Sequence, residues 1–319
     1  MTTKLMAATA VSLMGALTAA PVMAQDAETQ VVGVSIPAAT HGWAGGMNFF
    51  AQEAVERLEE AYPQLDFVLA TAADPAEQVA DIEDMVATRG IDALVVLPFE
   101  SEPLTGPVKA VADQGIWVTV VDRGLSEPGI EDLYVAGDNP GFGRVSGEFM
   151  VSQLPEGGRI VALRGIPTTI DNERVQGFEE AIAGSGIEVL GMEPGNWNRD
   201  DSFTVMQDFL SRFPQIDAVW ASDDDMAVGV LAAIEAAGRE DIKFVLGGAG
   251  MKEMIARTQQ GDPMIPANVT YPPAMIGTAI EITAVGLVSS APVSGTFTIG
   301  SVLVTPENAD QYYFPDSPF

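Results

Sequence analysis

The chain repeats its own pattern at a long interval. Ile91–Asp92–Ala93–Leu94–Val95 returns as Ile216–Asp217–Ala218–Val219–Trp220, from position 91 to position 216, an offset of 125. The neighbouring segments repeat as well. Val31–Val32–Gly33–Val34 has a counterpart in Arg159–Ile160–Val161–Ala162–Leu163, and Gly115 to Val120 has one in Asp241 to Leu246. A period this long exceeds that of a solenoid repeat. It predicts two α/β lobes of one architecture, placed in series, with their strand ends facing a shared cleft. A cleft between lobes is a place where small molecules bind.

The first 24 residues read as a secretory signal, with Lys4 as the charged n-region and residues 7–20 as an apolar stretch too short to span a bilayer. Val22–Met23–Ala24 offers small residues for cleavage, so the mature chain is expected to begin at Gln25. A periplasmic location follows from that reading. There are no cysteines, which removes thiol catalysis, thiolate metal sites and a lipid anchor on cysteine. Lobes of this size can bury enough apolar surface to fold without disulfides. The net charge of −30 repels nucleic acid and anionic lipid, and excludes both as partners.

Apolar runs alternate with amphipathic segments along the chain. Strands are expected near 31–36, 66–70, 93–97 and 116–121, with helices near 45–61, 75–89 and 103–114. A second set places strands near 159–163, 187–191, 217–221 and 243–247, with helices near 140–153, 172–184, 201–213 and 225–237. Continuous apolar strands between helices predict parallel sheets covered on both faces. The proline-rich tail predicts one helix near 274–288 among short strands.

In open parallel sheets ligands bind at the carboxyl ends of strands. Those ends hold Thr40, His41 and Trp43 after the first strand, Asp122 and Arg123 after the fourth, and Trp197 and Asp223 in the second half. Indole rings can cover the C–H faces of a sugar, and charged planar groups make paired hydrogen bonds to vicinal hydroxyls. The structural alternatives stay open at this point. Asp122–Arg123 would serve equally as an ion pair within a lobe, Arg174 as a surface residue, and a loop tryptophan as a lid over the core. The carboxylate run Asp223–Asp224–Asp225 lacks calcium-loop spacing and suits helix capping.

Catalytic motifs are sparse. His41 is the only histidine, so His-rich metal sites cannot be built, and no Gly-x-Ser-x-Gly elbow accompanies it. Gly141, Gly143 and Gly147 approach a dinucleotide fingerprint, but the spacing is one residue too long and no clear strand precedes them. No cofactor, no metal and no catalytic residue is expected.

With these residues in view, the chain resembles the type I periplasmic sugar-binding proteins, the ribose/xylose/galactose-binding family of ABC importers. The resemblance covers 30–305 and rests on Val32–Gly33–Val34–Ser35 with the Trp43 loop, Pro98, Asp122–Arg123, Asn172 to Phe178 and Asp223 to Gly229. It implies two Rossmann-like lobes joined by a three-crossover hinge, with crossings near 137, 270 and 300. The implied division is 25–136 plus 271–300 for one lobe and 137–270 plus 301–319 for the other. The tail helix would return to the first lobe and the last residues would pack on the second. By the same resemblance Asp122, Arg123, Arg174 and Asp223 hydrogen-bond a sugar, Trp43 and Trp197 sandwich its ring, and Thr270 adds a polar contact. The family's aspartate after the last strand falls at Ala249 and is missing, and Thr40–His41–Gly42–Trp43 replaces an asparagine and two aromatics of the ribose branch. Those departures favour another monosaccharide or a sugar alcohol over ribose. The expected protein is a monomer that captures such a ligand and delivers it to ABC permease subunits. A sensor that presents ligand to a receptor, and a sugar-acting enzyme using a carboxylate pair such as Glu100 and Asp223, are the competing readings.

Overall fold

The structure, a computed structural model, describes residues 29–39, 41–166, 168–289 and 293–319. The predicted signal segment and Thr40 lie outside the described residues.

The first half of the chain supplies β1 (Gln30–Pro37), α1 (Gly42–Ala61), β2 (Leu65–Ala72), α2 (Pro75–Asp84), β3 (Ala93–Val96), α3 (Ser101–Ala112), β4 (Trp117–Val121) and β5 (Leu133–Gly137). Helix α2 runs on into a π-helical turn, Met85–Arg89, which ends on Gly90 at φ 59°. The second half supplies α4 (Asn139–Gln153), β6 (Gly158–Arg164), α5 (Thr169–Ile182), β7 (Ile187–Pro194), α6 (Arg199–Arg212), β8 (Ala218–Ala221), α7 (Asp224–Ala237), β9 (Phe244–Leu246) and α8 (Lys252–Gln259). The tail adds β10 (Asn268–Val269), α9 (Met275–Val288), β11 (Gly295–Ile299) and β12 (Leu303–Val304).

Two parallel sheets result. One has the order β11-β5-β4-β3-β1-β2 and the other β7-β6-β8-β9. Their central strands are buried on both faces, Val32, Val34, Leu94, Val95, Val161 and Val219 all being inaccessible, as the unbroken apolar runs require. The repeated Ile–Asp pair has the same role twice. Ile91 and Ile216 enter the two cores. Asp92 accepts a hydrogen bond from the Val31 amide at 2.8 Å, and Asp217 accepts one from the Arg159 amide at 2.8 Å. Each carboxylate thus ties the start of an inner strand, β1 or β6, to the neighbouring one.

The chain passes between the sheets after β5, between β10 and α9, and between β11 and β12. Helix α9 packs on α1 and on the first sheet. The last residues do not confine themselves to the second half, as the resemblance implied. Lys252 on α8 donates to the carbonyls of Ser317 and Pro315 at 2.6 and 3.2 Å, while the Phe319 side chain lies against Gly42 and Gly46 of α1. A Cβ at either glycine would come within about 3.0 Å of Phe319, so the tail needs this smooth helix face.

Three sequence expectations change. Strand β5 was not foreseen, and it does precede Gly141, against the expectation that no strand does. The glycines that follow it serve helix packing: a Cβ on Gly143 would meet the Arg174 carbonyl of α5 at 1.9 Å, and one on Gly147 would meet Ala181 at 2.6 Å. Helix α1 begins at Gly42, so Trp43 stands in its first turn and is 7% exposed rather than in an open loop. Helix α5 begins at Thr169, which places Arg174 in its second turn.

Candidate functional site

The carboxyl ends of both sheets meet around a small cavity. His41 and Trp43 reach it from the β1–α1 junction, Asp122 and Arg123 from the end of β4, and Arg174 from α5. Trp197, Asp223 and Ala249 come from the ends of β7, β8 and β9, and Tyr271 from the crossover after β10. Eight of the nine predicted ligand residues are among those described, and seven of these line one space; Thr270 does not.

Thr270 is a correction of register. Its hydroxyl accepts from the Val302 amide at 2.9 Å and serves the β10–β12 connection. The next residue, Tyr271, faces the cavity instead. Successive side chains of extended backbone point to opposite sides, so an offset of one exchanges a cavity residue for a structural one.

Tyr271 centres a buried polar chain. Its hydroxyl donates to the Asp122 carboxylate and accepts from Asn139 Nδ2 at 3.1 Å. Asn139 Oδ1 accepts from Arg174 Nε at 2.8 Å, and Arg174 Nη1 donates to the Ser222 carbonyl at 2.9 Å. The Arg174 guanidinium sits in the corner formed by the rings of Tyr271 and Phe142, 4.2 and 4.5 Å from their centroids. Cation–π attraction and two hydrogen bonds fix this buried cation, which has no carboxylate partner among the described residues. Burial and the nearby Asp122 charge push the Tyr271 phenol well above its usual range. It stays protonated and keeps donating. Gly137 makes room for it, since a Cβ there would fall 2.1 Å from the tyrosine ring.

Asp122 and Arg123 are not paired with each other. Asp122 sits at φ 60°, a left-handed conformation uncommon outside glycine, with its amide on the Val135 carbonyl at 2.9 Å. Arg123 turns the other way and donates to the Phe99 carbonyl. Trp43 Nε1 donates to the Tyr271 carbonyl at 3.0 Å. Trp197, at φ 54° after Asn196 at φ 56°, lays its indole over Gly165, where a Cβ would collide at 2.1 Å. His41 Nδ1, Arg123 Nε and Trp197 Nε1 are buried with no hydrogen-bond partner among the described residues. Burial holds the His41 imidazole below its usual pKa, so it is neutral at pH 7.

Each member of the carboxylate run has a separate task. Asp223 caps α7 through the Met226 amide at 3.1 Å. Asp224, fully buried, accepts from the amides of Met251 and Gly250 and from Asn268 Nδ2 at 2.8, 3.1 and 2.7 Å. It thereby holds the loop that carries Ala249 at φ 94°. Asp225 bonds Arg199 Nε at 2.7 Å and accepts from the Gly42 amide at 3.1 Å, joining α7 to α1. Glu100 lies outside the cavity that Asp223 lines, so the carboxylate pair of the enzymatic reading does not face one space. Among the described residues, no group of three potential ligands is placed to hold a metal ion.

Burial, reinforced by Asp225, pushes the Asp223 carboxyl from 3.8 up to about 7. Through that window the folded state holds a proton that the unfolded chain has released, so stability falls as pH rises from 3.8 to about 7 and then levels. In the ligand-free protein, Asp223→Asn is expected to flatten this slope. Calorimetric melting between pH 5 and 8 checks it, and parallel profiles for the two proteins would count against the assignment.

A family model described as a periplasmic binding protein domain matches residues 32–287. The chain belongs to this family. Its members are binding proteins. The ribose import binding protein of Escherichia coli strain K12 is 31% identical over 179 residues, which is 56% of this chain and 60% of that protein. The chain thus aligns to less than two thirds of that relative's length. An ABC transporter solute binding protein from Bacillus halodurans C-125 with bound myo-inositol superposes with a TM-score of 0.79 at 25% identity, covering 91% of this chain and 99% of that one. The Caulobacter myo-inositol binding protein, bound to myo-inositol, gives a TM-score of 0.78 at 26% identity, over 89% of this chain and 96% of that one. The periplasmic binding family and the two-sheet α/β architecture expected from the repeat are therefore established.

Proposed function

We propose that this protein binds a neutral monosaccharide or sugar alcohol in the cavity between its two sheets and hands it to an ABC permease, with no catalysis of its own. The observation that carries this reading is the composition of the cavity wall. Two indoles and a phenol offer flat apolar faces, while Asp122, Asp223, Arg123 and Arg174 offer polar groups of both signs. Ionic groups so balanced favour a ligand that is rich in hydroxyls and carries no net charge. The cyclitol and ribose binders among its relatives support the same class.

In this reading the chain is exported through a cleaved signal ending at Ala24, acts as a periplasmic monomer, and closes about a hinge formed where the chain crosses between the sheets. The lobes are then 25–136 plus 271–300 and 137–270 plus 301–319. Arg174 and Trp197 approach the ligand from the second lobe, Trp43 and Asp122 from the first, so only the closed state makes both sets of contacts.

A thermal-shift series against pentoses, hexoses and polyols tests the reading. A ligand at 100 times its dissociation constant should add about 2.7 kcal/mol to apparent stability. Absence of a shift with every member of the series at millimolar concentration would overturn it. Trp197→Ala is expected to weaken the ligand found in this way by about 1–3 kcal/mol, the scale of burying a large apolar face. It should also reduce the ligand-induced compaction seen by small-angle scattering. Trp43 also packs in the core, so its alanine variant should lose stability as well as affinity. Calorimetric titration with full retention of affinity would make either tryptophan a packing residue only.

A further inference from the structure

A second cavity, larger than the first, shares four residues with it: His41, Trp43, Arg123 and Trp197. The three cavity-wall atoms buried without a partner among the described residues belong to this shared wall. They are His41 Nδ1, Arg123 Nε and Trp197 Nε1. Beyond the wall most of the lining is apolar, with Ala44, Met47, Leu97, Phe99 and Ile166, while Glu100 and Asn196 are its polar members.

The chemistry of the unspent atoms is one-sided. An arginine Nε–H and an indole N–H can only donate, and a neutral imidazole can present either a donor or an acceptor. Two donor-only groups are best met by an oxygen that brings no proton of its own. The fields of Asp225 and Asp122 oppose that of Arg123 at His41, so a charged carboxylate oxygen finds no wall of one sign there. An ether oxygen carries no charge and accepts without donating. Whatever it links to the ring then extends into an apolar space.

We propose that the preferred ligand is a substituted sugar or cyclitol, a glycoside or O-alkyl ether. Its ring occupies the first cavity, its ether oxygen lies at the shared wall, and its apolar substituent fills the second cavity. This rests on the sugar-binding reading above and narrows it. A monosaccharide without the substituent leaves the second cavity to water and the donors to weaker partners.

Calorimetric titration compares free pentoses, hexoses and myo-inositol with their methyl and phenyl glycosides or O-methyl ethers. For the ring that binds, the substituted form is expected to bind at least about 10-fold more tightly, the discrimination an apolar pocket gives for one added group. Ala44→Leu fills the second cavity without lining the first. It should abolish that gain while leaving the free ring within about twofold of the parent. Ile166→Phe, at a half-buried position on the same wall, provides the same comparison if Ala44→Leu does not fold. A free ring that binds as tightly as its substituted forms overturns the proposal and leaves the sugar reading standing. Failure of both free and substituted rings to bind removes the sugar reading and the proposal together.

Discussion

Arg174→Ala is expected to weaken ligand binding by about 1.5–3 kcal/mol, the range for hydrogen bonds to a charged group. The guanidinium is fixed before ligand arrives. It packs against both Tyr271 and Phe142, with Nε on Asn139 and Nη1 on the Ser222 carbonyl. Its remaining donors therefore reach the cavity at little entropic cost. Removing it also releases Asn139, and through Asn139 the Tyr271 hydroxyl that orients Asp122. Arg174→Lys should recover little, because an ammonium group cannot stack on a ring face and bond two acceptors in one plane. Isothermal calorimetry on a folded variant is the check. Unchanged affinity would take Arg174 out of the site and leave it a structural cation.

Asp224→Ala is expected to cost about 3–5 kcal/mol of folding stability, the range of the severest single changes. The carboxylate is fully buried and satisfies three donors: the Met251 and Gly250 amides and the Asn268 amide group. Each buried donor left without an acceptor costs about 1–3 kcal/mol, and water can recover only part of this. Asp224→Asn, which retains one acceptor oxygen, should lose less. Urea unfolding with an unchanged slope would assign the effect to the folded state. A loss below about 1 kcal/mol would mean that the loop finds other partners.

Much of this architecture was legible in the sequence because the repeat falls on residues with duplicated tasks. Ile91–Asp92 and Ile216–Asp217 each supply a core side chain and a carboxylate that ties adjacent strands together, so the echo marked both sheets. Strand β5 escaped notice because no helix separates it from β4. A turn-rich segment with Pro128 and Gly129 joins them, and five residues with an exposed approach give little periodicity. Trp43 read as a loop residue because Gly42, Gly45 and Gly46 resemble loop composition. Their smallness answers to Asp225 and Phe319 packed against Gly42, and to Pro273 and Phe319 packed against Gly46. Asp122, Arg123 and Asp223 were found by their position at strand ends, and Arg174 by the family resemblance. Tyr271 was missed because the short β10 leaves the side-chain parity unset, and Asn139 because its role exists only once Arg174 and Tyr271 are brought together.

The edge of the first sheet is completed by β11, whose Gly295 pairs with Leu133 on β5, and its flank by α9. Both come from the far side of the whole second half of the chain. During synthesis the first half therefore emerges with β5 as an open edge and with the α1 surface that will receive α9 still bare. Contacts of such sequence separation form slowly, and an unpaired edge recruits other strands while it waits. The first half consequently depends on the tail for its protection, and folding of this protein is expected to finish with a late step that closes the first sheet after the second has formed.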